Sequence, residues 1–436
     1  MSSAWALPLV LSIAIFIWYR SKLTRNKQIS PIPGIKVVPG AHWLFGHLKI
    51  MLGPLKSGDV DFFDHLFVDH ANEQGLCCAY YLHNPAISVL SAKHARIVLR
   101  QGSVRNAPPI VTKHARNTLG QKSIIMLSGR GSDWKRQRGL LQYALTADAI
   151  KEHNSIIREV ANSMVTVLTK LCEKESDGTS VEVDVVNIAQ SFTLEAFGKL
   201  ALGHDFHCFS DSAANGLKEA DAFAFLANDI PIRMKAAWNP FLQFYWIPTA
   251  YNKRYKVERG ITEKLLRKVI EQSKDSLASD DSVNDGSNSK KKNRDNMLTH
   301  IIRRSGDEST NELIDKMKTI LFAGYETTAI TITYVLYNLT KYPEIQEECC
   351  REARRILQNE DNSNVSDLRY TRACLLESMR LNPTVINTTR SLQKVRIHPE
   401  YITVLDKYPT TSLNLIPLFL CRRSSLTISS YPQEPG

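Results

Sequence analysis

Ala323-Gly324-Tyr325-Glu326-Thr327-Thr328 sets an acid beside two hydroxyls, and its flanks, Met317–Phe322 and Ala329–Leu336, are mostly apolar. The flanks specify a long helix that the insert weakens. An interior glycine costs about 1 kcal/mol against alanine, and paired threonines lose rotamer freedom while their hydroxyls compete for backbone carbonyls. A purely structural helix has no use for such residues. Burial drives a carboxyl pKa toward neutrality, so a buried acid beside an alcohol is a candidate proton relay.

Two further constellations carry chemistry. Trp134 and Arg138 fall on one helix face, where an indole N–H and a guanidinium can jointly hold a carboxylate. The structural alternative is a helix starting near Ser132-Asp133 with a packed Trp and solvated charges. Glu377-x-x-Arg380-Leu381-Asn382-Pro383 follows, with Arg390 ten residues beyond Arg380. The same acid–arginine spacing recurs at Glu348/Arg351 and Glu352/Arg355, where surface pairs are expected. The largely apolar run Tyr370–Leu376 marks Glu377 and Arg380 as the copy expected to be buried, fixing how its helix docks.

The elements that position these residues are mostly helical. Apolar positions recur at three and four spacing over Ala147–Cys172 and Val181–Leu202, and Val257–Ile270 is a basic amphipathic stretch. Strands are expected at Ala79–Leu82 with Ile87–Leu90, and within Thr388–Ile397. Ser273–Asn296 reads as a solvated loop, including Lys290–Lys292. The fold class is mainly α with a small β part.

Ala4–Tyr19 is apolar, aromatic or small except for Ser12, and Arg20, Lys22, Arg25 and Lys27 follow at once. The run is a short signal anchor of about 16 residues, so Trp5, Trp18 and Tyr19 must sit at the interfaces. A cleaved signal peptide would carry its charge before the apolar run rather than after it. The basic cluster keeps the body cytosolic. Pro31-Ile32-Pro33-Gly34 and Pro39–His47 form a stiff connector. The expected domains are therefore an anchor at 1–20, a connector at 21–47, a catalytic body at 48–396 and a tail of different character at 397–436.

The 436 residues, 43% hydrophobic with net charge +11, can bury a large core and suit an anionic membrane surface or acidic partners. No zinc-finger spacing or aromatic RNA-binding motif supports nucleic acid. Eight cysteines without a C-x-x-C fit reduced thiols facing the cytosol. His204 and His207 lack a third ligand nearby and read as ordinary histidines. Trp238–Phe241 and Phe244–Pro248 are either a lid dipping into a bilayer or core packing.

The ordered set Trp134-x-x-x-Arg138, Ala323-Gly324-x-Glu326-Thr327-Thr328 and Glu377-x-x-Arg380, behind an anchor and a proline-rich connector, resembles the microsomal cytochrome P-450 family over residues 1–396. The resemblance implies a haem-dependent monooxygenase that inserts one oxygen atom from O2 into a lipophilic small molecule. Electrons would come from an NADPH-dependent reductase, at the endoplasmic reticulum membrane with the body facing the cytosol. It implies that Glu326 and Thr327 protonate dioxygen at the haem, that Ala323 and Gly324 leave room beside it, and that Trp134, Arg138 and Arg390 bind its propionates. Glu377 and Arg380 would be a structural core pair.

The family's axial cysteine sits in a loop of the form F-x-x-G-x-R-x-C-x-G, and thiolate ligation favours O–O cleavage. Here no glycine lies between Gly324 and Gly436, and Cys421, the only cysteine after Cys374, has Asn414, Pro417, Phe419 and Arg423 at the signature positions. Cys421 is therefore not expected to ligate haem, and no metal ligand is identified. His398–Tyr401 also departs from the family's preceding element. The Ser-, Thr- and Pro-rich tail has no clear period, so no helix or strand is assigned to it, and a frameshift, retained intron or faulty gene model is expected. The alternative function is a haem-free, catalytically inactive, membrane-anchored fragment.

Overall fold

The computed structural model describes residues 15, 18–22, 30, 32, 34–43, 45–47, 50, 67–81, 84–100, 104–105, 109–127, 131–144, 146, 153–174, 182–209, 216–236, 239–282, 296–306, 308–357, 365–385, 388, 390–392, 396–397, 402–403 and 413–417. Most of the expected anchor, Trp238, Lys290–Lys292, His398–Tyr401 and Cys421 lie outside these residues; Trp18–Lys22 is helical, with Trp18 and Tyr19 exposed. The chain forms two units, 1–107 with 385–436, and 108–384.

In the first unit, two short, mostly apolar runs form an antiparallel hairpin of β2 (Leu76–Tyr81) and β3 (Asn84–Val89), with β1 (Lys36–Val37) parallel to β2. The expected hairpin is present, although its first strand begins earlier. Leu76, Cys78, Tyr80, Ile87 and Val89 pack with Ile32, Ile35 and, from α1 (Ala92–Arg100), Ala95 and Val98. The connector is tied to this core by His47: Tyr80 N–H donates to its Nδ1 (2.8 Å), so Nε2 carries the proton and donates to Val38 O (2.6 Å). The sheet order is β1-β2-β3-β8-β5-β4, from β4 (Val104–Arg105), β5 (Arg390–Leu392) and β8 (Leu413–Pro417), while β6 (Arg396–Ile397) pairs with β7 (Ile402–Thr403). The strand expected within Thr388–Ile397 is realised as β5 and β6. The tail departs from its reading, because β8 lies between β3 and β5, with Ala86 opposite Asn414 and Val89 opposite Pro417. Five residues, Asn414 and Pro417 among them, are too few to specify a strand alone; open backbone groups on β3 and β5 complete it.

The second unit is helical: α2 (Pro109–Leu119), α3 (Ser132–Ala144), α4 (Asn154–Lys174), α5 (Val185–Phe197), α6 (Gly216–Lys235), α7 (Pro240–Gln243), α8 (Ala250–Ser282), α9 (Met297–Ser305), α10 (Thr310–Lys341), α11 (Pro343–Leu357) and α12 (Arg369–Leu381). Part of the expected loop at 273–296 is helix instead. No glycine or proline interrupts Ile261–Ser282, so α8 propagates to Ser282. Asn296 then starts α9 through a capping box with Thr299, and Ser309 starts α10 through one with Glu312.

Helix α10 is long and apolar enough to cross a bilayer, yet its inner face is core: Leu313, Met317, Leu321 and Tyr325 are buried with Leu266 and Ile270 of α8 and Leu298 and Ile301 of α9. Its closest neighbour is α5. Gly324 is buried there, and a Cβ added to it would overlap the Phe197 ring, while Thr193 Oγ1 donates to Tyr325 O (2.9 Å).

A polar knot holds α6 and α8. Asp229 and Arg233, both 0% exposed, pair at 2.7 Å. Asp229 also accepts from Thr118 (3.1 Å) and Tyr245 (3.0 Å), and Arg233 donates to Asn252 (2.9 Å) and stacks its guanidinium 3.7 Å from the Tyr245 ring centroid. Anchored this way, the segment after α6 turns Phe241, Phe244 and Trp246 outward at 60, 43 and 74% exposure, which excludes core packing for those rings.

If the α5–α10 approach requires glycine, Gly324→Ala lowers stability by about 1–3 kcal/mol, an overpacking cost larger than the helix-propensity gain. In a Phe197→Ala background the same change becomes neutral or stabilising by up to about 1 kcal/mol. Urea unfolding midpoints of the four chains measure the coupling.

Candidate functional site

The close approach at Gly324 fixes the rotation of α10, and helix geometry does the rest. Gly324 and Tyr325 face inward; Ala323, Glu326 and Thr327, spaced three and four apart, share the other face, where Ala323 is exposed and Glu326 and Thr327 are half-buried. Gly324 therefore has a structural reason of its own, which is contact with Phe197. The Thr327 hydroxyl donates to Ala323 O, so toward the open face it presents acceptor lone pairs. No hydrogen bond among the described residues engages the Glu326 carboxylate, and burial raises its pKa. The expected acid and alcohol are thus adjacent on one accessible face. Below them Thr331 donates to Thr327 O (2.9 Å) and is hydrogen-bonded to Thr384 (2.8 Å).

Trp134 is half-buried and Arg138 exposed on α3, with the guanidinium carbon 5.1 Å from the indole centroid. The guanidinium lies over the indole ring in a cation–π contact. Arg390 stands in β5 of the other unit, opposite Leu415 of β8.

Glu377 and Arg380 pair bidentately, with Nε donating to Oε2 at 2.7 Å, and this bond lowers the Glu377 pKa. They are only half-buried, with side-chain exposures of 34 and 22%, contrary to the burial expected of them. The buried side of α12 is polar: Ser378 accepts from Asn338 of α10 (2.9 Å), while Leu376 and Met379 face outward. Among the three acid–arginine repeats the buried acid is Glu352, at 7% exposure, although a surface pair was expected there. It accepts from Tyr370 N–H, Thr371 N–H and Thr371 Oγ1, each at 2.8 Å. Burial alone would raise its carboxyl, but these bonds outweigh it and hold the pKa low. The available signal was at the other helix: α12 starts after Leu368, which offers no capping side chain, so its amides need an acid from elsewhere.

His204 meets Glu219 (3.2 Å) and His207 meets Asp205 (3.1 Å). Among the described residues no group of three or more His, Cys, Asp or Glu is arranged for a metal ion.

Comparison with known proteins assigns a family to this mainly helical body with an acid and an alcohol on one face of its central helix. The cytochrome P-450 family model matches residues 38–399. The chain belongs to the cytochrome P-450 family. It is 23% identical to cytochrome P-450 4F6 of Rattus norvegicus over 83% of this chain and 66% of that protein. It is 24% identical to leukotriene-B4 omega-hydroxylase 3 of Mus musculus, over 96% of this chain and 76% of that protein. It is 23% identical to an ultra-long-chain fatty acid omega-hydroxylase of Homo sapiens, over 61% and 50%. The chain thus spans just under two thirds of the first relative and half of the third.

The family's cofactor is haem, held by a thiolate. Cys421, around which the family's cysteine loop would fall, lies outside the described residues. Burial pushes Cys77 up to about 12 and Cys78 to about 11, and raises Cys208, so all three are thiols at neutral pH.

The raised Glu326 pKa has a thermodynamic consequence. The folded state binds this proton more tightly than the unfolded chain, so the contribution is favourable below the unfolded pKa and is lost as pH rises through the folded pKa. Glu326→Gln should therefore stabilise the protein at pH 8 and leave it nearly unchanged at pH 4, read as the shift in urea midpoint at each pH.

Proposed function

We propose that the scaffold is that of a haem-dependent monooxygenase inserting one oxygen atom from O2 into a lipophilic organic substrate, with electrons from an NADPH-dependent reductase. The observation that carries this reading is the acid–alcohol face of α10 inside a chain that matches the family over residues 38–399. Glu326, its pKa raised by burial, stores a proton closer to neutral pH than an exposed carboxylate does, and Thr327 accepts and orients on the same face. The contact between Arg138 and Trp134 supports these two residues as donors for a propionate-type carboxylate. Relatives named as leukotriene and fatty acid omega-hydroxylases support a long apolar substrate.

The anchor at 1–20 and the outward ring set Phe241, Phe244 and Trp246, with Lys113 4.7 Å from the Phe244 centroid, support two contacts with membrane lipid. The basic cluster after the anchor supports a body facing the cytosol, and the family resemblance supports the endoplasmic reticulum membrane.

A second reading takes this polypeptide as a haem-free, catalytically inactive, membrane-anchored fragment of such an enzyme, and it is supported by Asn414, Pro417, Phe419 and Arg423 standing at the signature positions around Cys421. The reduced carbon-monoxide difference spectrum separates the two. The 436-residue chain in membranes is expected to give no thiolate-type Soret band, and a band would sink the haem-free reading. A chain given the family's cysteine loop in frame is expected to show the band, and there Thr327→Ala should lower product formed per oxygen consumed. Unchanged coupling would overturn the relay role.

A further inference from the structure

Cys349 of α11 and Cys374 of α12 lie with their Sγ atoms 3.7 Å apart, in the thiol form. Neither takes part in the chemistry above. Their contact is held by the neighbouring rung of the same helix pair: Glu352, one turn after Cys349, accepts the hydrogen bonds of Thr371, one turn before Cys374. Antiparallel rungs of this kind keep the two sulfurs opposed without any bond between them. From the other side, Asn338 of α10 holds Ser378 (2.9 Å) and Asn382 (3.1 Å), so α12 cannot easily roll away. The sulfurs need to close from contact to a bond of about 2.05 Å, a movement within reach of side-chain rotation.

We propose that Cys349 and Cys374 are a redox staple: a thiol pair that closes to a disulfide when it meets a low-molecular-weight disulfide, clamping α11 to α12. In the first step the half-buried Cys374 sulfur attacks the small disulfide, forming a mixed disulfide and releasing one small thiolate. In the second, Cys349 attacks the Cys374 sulfur, releasing the second small thiolate. Two protein thiols lose two electrons and two protons; the small disulfide takes up both and leaves as two thiols.

The reaction is gated by the same surroundings. Burial and the hydrogen bond with Cys349 raise the Cys374 thiol to about 12, and the Glu352 carboxylate on α11 acts in the same direction. Tyr370, on the same helix as Cys374, is itself raised by burial and stays neutral. The pair therefore stays reduced on short exposure and oxidises faster as pH rises, by about tenfold per unit while the attacking thiolate is scarce. The staple would fix the helix that carries Glu377 and Arg380, and it does not depend on whether haem binds.

The test is incubation of the full chain with oxidised glutathione at pH 7 and pH 9, followed by blocking of free thiols and non-reducing peptide mapping. The expected result is a link between the peptides carrying Cys349 and Cys374, forming faster at pH 9. Because Cys350 is adjacent to Cys349, the Cys350→Ala chain is mapped in parallel and should keep the link. Cys374→Ala should lose it while its far-UV circular dichroism remains that of the parent. Full alkylation of both thiols after oxidation, or loss of the link in Cys350→Ala, would overturn the staple.

Discussion

The approach of α10 to α5 at Gly324 is the constraint on which the helical unit depends. With no Cβ at that position, the Phe197 ring lies against the helix backbone, and Thr193 adds a hydrogen bond to Tyr325 O at 2.9 Å. A helix in such contact has one allowed rotation. That rotation buries Tyr325 edge-on against Phe223, with ring centroids 5.5 Å apart, and turns Glu326 and Thr327 to the opposite side. Core packing and chemical presentation are thus two consequences of a single missing methyl group.

Polar contacts set much of the remaining arrangement. Asp229 and Arg233 are wholly buried, and each spends its hydrogen-bonding capacity on residues from other segments, Thr118, Tyr245 and Asn252 among them. A buried pair of this type adds little net stability, because desolvation offsets attraction, but a misplaced partner would leave an unmatched charge. It works as a positional constraint. Glu352 does the same for α12, whose first amides would otherwise lack acceptors.

The central helix, its polar insert and the hairpin at β2 and β3 were legible because each rests on local information: apolar period, short apolar runs, capping residues. Burial of individual polar groups was not. Glu352 and Glu377 sit in the same acid–arginine spacing, and the sequence offers no rule for which one goes inside. The choice followed from whether another helix start, at Tyr370 and Thr371, came within hydrogen-bond reach. Strand β8 shows the same limit, since its pairing comes from partners at Ala86–Val89, far away in the chain.

By itself the sequence determined the residue types and spacing of the acid–alcohol pair, the cationic Trp134–Arg138 pair and the absence of a glycine-framed cysteine, because these are properties of order along the chain. Only the tertiary structure decided why position 324 must be glycine, which acid is buried, and that Cys349 meets Cys374. Those depend on segments far apart in the chain coming within a few ångströms, and contact at that range is set by packing rather than by spacing.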